Sequence, residues 1–183
     1  MNPWMDCSVK LRSAPEGRTT PQNQYYKPIM KRNEIIAGLK VYFAISDLVC
    51  PHVHLKFGDR AWMFLSTIFL HTLLVIRRDI LKAPMICNNY HARGIYDERG
   101  LRCNLCSLVR DKTMEGQVYL SAHITGQAGD FEVVGMSAKQ ARYLIMDNIL
   151  QLSYPIRLED SVTWLHVDTY DTGKDQPFTL FTA

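Results

Sequence analysis

The chain has 183 residues, 21 basic against 18 acidic side chains for a net charge of +3, and 47% apolar residues. That length and apolar fraction suit one domain with a single sizeable core. The small net charge, spread along the sequence, excludes the basic stripe of a nucleic-acid binder, so no nucleic-acid partner is expected.

Five cysteines, an odd number in a chain of this size, do not form the disulfide framework of a small secreted protein. Reduced thiols are expected. The first residues lack the basic start, apolar stretch and small-residue cleavage site of a secretory signal, which predicts a cytoplasmic protein in the producing cell. Residues 1–32, rich in Pro, Ser, Thr, Gln and Arg, have no sustained apolar period and are expected to form a flexible arm, with the globular domain over 33–183.

Asn33 is placed to cap a helix carrying Ile36, Leu39, Tyr42, Phe43 and Ile45 on one face. The segment PHVHLKFGD breaks this period, and a second, more apolar helix is expected from about Asp59 to Leu81, ending before Pro84. Its uncharged run from Ala61 to Ile76 falls short of the roughly 20 residues that span a bilayer and is interrupted by His71 and Thr72. It is read as a buried core helix, without stable membrane insertion.

From Pro84 to about Val118 the chain reads as a long irregular loop. Tyr119 to Phe131 reads as a strand that turns sharply at Gly126 and Gly129. Ser137 and Gln140 form a capping box for a helix with Ala141, Leu144, Ile145, Ile149 and Leu152 on its apolar face. Strands follow at about Tyr154 to Leu158, Val162 to Thr169 and Phe178 to Phe181. Segregated helices and strands define an α+β domain, expected as a small antiparallel sheet packed by helices and carrying a zinc site.

Two clusters carry the chemistry. Alternation puts Trp164, His166 and Asp168 on one face of a strand. His123 and Asp130, seven positions apart, converge only if the chain bends between them, and Gly126 and Gly129 offer the places. Two imidazoles and a carboxylate suit zinc, and a catalytic zinc keeps three protein ligands and one open position. Each histidine also has a plain structural reading, as a hydrogen-bonded residue in or near the core.

The segment SAHITGQAGDF resembles the S-x-H-x-x-G-x-A-x-D-F motif of the D-alanyl-D-alanine carboxypeptidase and endopeptidase family, and TWLHVD resembles its later W-x-H-x-D strand. A weaker likeness extends over about Asn33 to Ala183. Members of that family cut peptide bonds in bacterial cell-wall stem peptides; many phage lysis enzymes belong to it, and the hedgehog domain shares the fold. The resemblance implies a zinc metallopeptidase with His123, Asp130 and His166 as metal ligands and Arg102 as the residue that binds substrate carboxylate or polarises the scissile carbonyl.

The resemblance also calls for a general base. Some members carry an acid three positions before the last histidine, where this chain has Thr163; others, and the hedgehog domain, carry a glutamate six positions before it, where this chain has Asp160. Asp160 is the expected base, with Glu159 next. Ser121 is a candidate substrate-binding residue or a turn serine, and Asp168 either orients an imidazole or ends a strand.

Cys103 and Cys106 form a C-x-x-C without a second one, and are read as loop thiols; His52 and His54 are read as structural or exposed. The expected function is hydrolysis of peptidoglycan by a monomer, plausible as a phage lysis enzyme reaching the periplasmic wall after release, or a virion protein. The alternative is a non-catalytic zinc-containing module. Which bond is cut, D-Ala-D-Ala, L-Ala-D-Glu or a cross-bridge, stays open.

Overall fold

Arg32 begins the first helix and ties it to the next layer by donating hydrogen bonds to the Trp62 and Leu65 carbonyls at 2.6 and 2.9 Å. The structure, a computed structural model, describes residues 30–182. The arm expected over 1–32 lies outside the described residues except at Met30 to Arg32, where Met30 packs on the core and Arg32 is helical.

Helix α1 (Arg32–Leu39) buries Ile35 and Leu39. It stops before Tyr42, Phe43 and Ile45, which were expected on its apolar face; Ile45 begins a separate short helix, α2 (Ile45–Leu48), held by a bond from the Ala44 N–H to Asp47 Oδ2. The PHVHLKF segment, expected to be irregular, is helix α3 (Pro51–Phe57), because proline at the first helical position is compatible with the fixed φ and needs no N–H there.

The long helix expected from Asp59 to Leu81 is three pieces. A 3₁₀ segment, Gly58–Phe64, is followed by a break at Leu65 and Ser66, then helix α4 (Thr67–Val75) and a π-type turn, Ile76–Leu81. Every side chain from Phe69 to Val75 is buried, His71 and Thr72 included, which explains a run that carries no charge on any side. Among the described residues no helix is long and apolar enough to cross a membrane.

The stretch expected to be one loop contains strand β1 (Met85–Ile86), a 3₁₀ turn at Tyr90–Ala92 and helix α5 (Ser107–Met114). Strand β2 (Ala128–Val133) precedes helix α6 (Ala138–Asp147), whose capping box forms as expected, with the Gln140 N–H donating to Ser137 Oγ at 3.3 Å. Strands β3 (Ile156–Glu159), β4 (Leu165–Asp168) and β5 (Phe178–Phe181) complete the chain.

Among the described residues the domain is α+β, with a five-stranded sheet of order β1-β2-β4-β3-β5 packed by helices. The sheet is mixed, not antiparallel as expected, because β5 runs parallel to β3. The reason lies in β4, whose two edges are taken by β2 and β3; the connection after β4 therefore passes over β3 to the free edge. One sheet face, with Phe131, Ile156, Leu158, Leu165 and Val167, is buried in the core. Burying each of these side chains contributes about 1.5–3 kcal/mol. The opposite face, where Asp130, His166 and Asp168 are also buried, turns to an open cavity, and the candidate chemistry lies there.

Candidate metal centre

The register aligns that open face in rows. Asp130 lies opposite His166, and Ala128 and Arg157 both lie opposite Asp168. The β3–β4 register also pairs Leu158 with Val167, so its continuation sets Glu159 level with His166, and Glu159 in turn pairs with Phe181 on β5. Cross-strand partners project to the same side of a sheet. Asp130, His166, Glu159 and Phe181 therefore form one row, beside the row of Asp168 and Arg157.

His123 reaches this row from a turn rather than a strand. The Gly126 N–H bonds the His123 carbonyl at 3.3 Å and the Gln127 N–H bonds the Ala122 carbonyl at 2.8 Å. Gly126 has φ of +69°, and a β-carbon there would lie 2.1 Å from the Phe64 carbonyl oxygen, so both conformation and space require glycine. Gly129, the other expected bend, is an ordinary residue of β2. Ser121 is at the start of the turn, so it does not share a strand face with His123; it still lines the cavity, and among the described residues its buried Oγ has no hydrogen-bond partner.

His123, Asp130 and His166 are all buried, and the ligand atoms they offer lie within 4.8 Å of one another. His123 donates from Nδ1 to the Gly100 carbonyl at 2.9 Å, which turns Nε2 towards Asp130 Oδ2 at 3.4 Å. His166 directs Nδ1 at Asp130 Oδ1 at 2.7 Å, while its Nε2 meets Asp168 Oδ2 at 2.8 Å. Each imidazole thus has one nitrogen anchored to an acceptor outside the trio and the other aimed into it. That is how metal-binding histidines are oriented.

Asp168 is itself fixed. It is fully buried, takes a two-point contact from Arg157 at 2.8 and 2.9 Å and accepts the Tyr170 N–H at 2.9 Å. Burial alone would raise its carboxyl, but bonds from His166 and Arg157 outweigh this and hold it below the usual range. Asp130 behaves likewise: burial opposes its charge, and the two imidazoles overcome it. For His166 burial disfavours the cation, yet bonds to Asp130 and Asp168 lift it to about 9. The inward nitrogens of the two imidazoles and the Asp130 carboxylate are the atoms a bound cation would meet.

The cavity over the trio is walled by Arg102, Tyr119, Arg157, Glu159, Trp164 and Tyr170. Arg102 bonds the Glu98 carbonyl through Nε at 2.6 Å and Asp130 Oδ2 through Nη2 at 3.3 Å, so its charge faces the site. Asp160 lies elsewhere. It follows the end of β3, where alternation points it away from Glu159, and its half-exposed carboxylate sits 3.7 Å from Arg142. Glu159, the second choice for the base, is the acid on the cavity wall, and no described residue pairs with its carboxylate. Thr163 is outside this cavity.

A second group able to hold a metal brings together Cys50, His52, Cys103 and Cys106. The C-x-x-C therefore has the partners it lacked in sequence, Cys50 and His52 from the start of α3, while His54 faces the Tyr90 ring instead. Cys50-x-His52 was the available signal, hidden by 50 intervening residues. Arg157 and Asn88 also escaped notice. Buried Asn88 accepts the Arg99 N–H and donates to the Val49 carbonyl, joining the two segments that carry these groups.

The chain matches no family model, no curated protein and no solved structure.

Proposed function

We propose that the protein is a zinc-dependent peptidase that hydrolyses peptide bonds in the stem peptides or cross-links of bacterial peptidoglycan. The observation that carries the reading is the convergence of His123, Asp130 and His166 on the floor of an open cavity, with a carboxylate and a guanidinium on its walls. Two nitrogens and one oxygen are the donor set of a catalytic zinc with an open position, and the resemblance of SAHITGQAGDF and TWLHVD to the D-alanyl-D-alanine peptidases supports the substrate class. A zinc ion held there would polarise a carbonyl and acidify water.

The chain's own groups supply the rest. Glu159, whose carboxylate no described residue pairs with, accepts a proton from the attacking water and returns it to the leaving amine. Arg102, fixed by Glu98 and Asp130, binds a peptide carboxylate or the scissile carbonyl oxygen. Asp168 and the Gly100 carbonyl keep the two imidazoles in the tautomers that leave the inward nitrogens free. Tyr119, Trp164 and Tyr170 provide apolar walls for a short peptide.

The test is a turbidity assay on permeabilised bacterial cell walls, run beside metal analysis. Zinc-loaded wild type clears the walls and His123→Ala does not. Failure of the zinc-loaded wild type on walls of both direct and bridged cross-linkage would refute the peptidase reading.

A further inference from the structure

We infer that Cys50, His52, Cys103 and Cys106 form a second, structural zinc site of the three-cysteine, one-histidine type. The inference is independent of the peptidase reading. Cys50 directly precedes α3 and His52 lies in its first turn, while Cys106 directly precedes α5 and Cys103 lies three residues earlier. The four ligand atoms lie within 4.8 Å of one another, and Cys106 Sγ is 3.9 Å from His52 Nδ1. A tetrahedral zinc, about 2.3 Å from sulfur and 2.0 Å from nitrogen, spans edges of about 3.5–3.8 Å. Closing on an ion thus asks for a contraction of at most about 1.3 Å on any edge.

Two backbone N–H groups already point at the sulfurs. Cys103 N–H donates to Cys106 Sγ at 3.3 Å, and Leu105 N–H to Cys103 Sγ at 3.4 Å. Such donors favour the thiolate form that a metal requires. Cys50 and Cys106 are fully buried and none of the four described cysteines is in a disulfide. Three thiolates with one imidazole select zinc over magnesium or calcium, and four protein ligands leave no position for substrate, as in sites that serve the fold.

The fold gives such a site a task. The segment Gly100 to Cys103 supplies the Gly100 carbonyl to His123 and the Arg102 guanidinium to Asp130, then ends on Cys103. On its other side Leu101 pairs with Val49, the residue before Cys50: Leu101 N–H bonds the Leu48 carbonyl at 2.9 Å and Cys50 N–H bonds the Leu101 carbonyl at 3.0 Å. A β-carbon on Gly100 would lie 2.1 Å from the Leu48 oxygen, so the two segments touch only because glycine is there. An ion joining Cys50 and His52 to Cys103 and Cys106 clamps this pair just beyond the catalytic cavity. The helices α3 and α5, both short, are fastened by the same four bonds.

Cobalt(II) distinguishes the two sites, because only this one contains sulfur. Full-length protein, stripped under reducing conditions and reconstituted with cobalt, is expected to show intense near-ultraviolet thiolate-to-cobalt charge transfer, retained in His123→Ala and lost in the Cys103→Ser, Cys106→Ser double variant. His52→Cys, which keeps four ligands, is expected to retain the metal and to gain charge-transfer intensity, so a folding failure of the double variant does not decide the matter. Metal loading should slow reaction of Cys50 and Cys106 with a thiol reagent by at least about tenfold. Wild type without these bands, or bands abolished by His123→Ala, overturns the inference. Neither readout involves lysis, so the proposed peptidase activity stands or falls separately.

Discussion

Exchanging one oxygen for an NH₂ at each of two neighbouring acids separates the proposed base from its neighbour. Glu159 shares the row of Asp130 and His166 on the open sheet face and lines the cavity; Asp160, one residue on, turns towards Arg142. A positioned general base contributes about 10²–10⁴ in rate, equivalent to about 3–5 kcal/mol of barrier. Glu159→Gln is therefore expected to lower kcat/KM for wall hydrolysis by at least about 100-fold. Zinc retention by His123, Asp130 and His166 should be unchanged, since Glu159 bonds none of them. Asp160→Asn removes only a half-exposed carboxylate from a 3.7 Å pair, worth at most about 1 kcal/mol, and Arg142 keeps its bonds to the Val162 and Trp164 carbonyls. Its rate should stay within about threefold of wild type. Dye release from labelled walls, with metal content measured on the same samples, reads both. An inactive Asp160→Asn with a near-normal Glu159→Gln would refute the assignment.

Three further outcomes follow from the geometry. Asp168→Asn should weaken zinc binding by about 10–100-fold in a chelator competition, because His166 loses the carboxylate that orients it; unchanged affinity would mean Asp168 only pairs Arg157. In the metal-free protein the raised pKa of His166, about 9 against an ordinary value near 6.5, adds stability that is fully present below about pH 6.5 and is lost as pH rises through about 9. Zinc affinity should run the other way, growing with pH because the metal needs neutral imidazole; a metal-free Tm that climbs from pH 6.5 to 9 would contradict this. Gly126→Ala forces a side chain into positive φ and against the Phe64 carbonyl, so it should destabilise the fold by at least about 1–3 kcal/mol in denaturant unfolding and displace His123, whereas Gly135→Ala, with positive φ but open space, should cost less.

The amino-acid sequence alone offered His123, Asp130 and His166 as candidate ligands and located several of the regular elements. Ser137 and Gln140 specify a helix start locally, the alternation around His166 and Asp168 specifies their shared face, and the uncharged, mostly apolar run at Phe69 to Val75 specifies burial, because each depends on neighbours within a turn or a pleat. Only the tertiary structure decided how distant segments meet. The row that sets Glu159 beside His166 depends on the β3–β4 register, the parallel placement of β5 on β4 having no free edge, and the joining of Cys50 and His52 to Cys103 and Cys106 on a contact between Val49 and Leu101. Such pairings rest on hydrogen bonds and packing between residues dozens of positions apart, for which no local period exists.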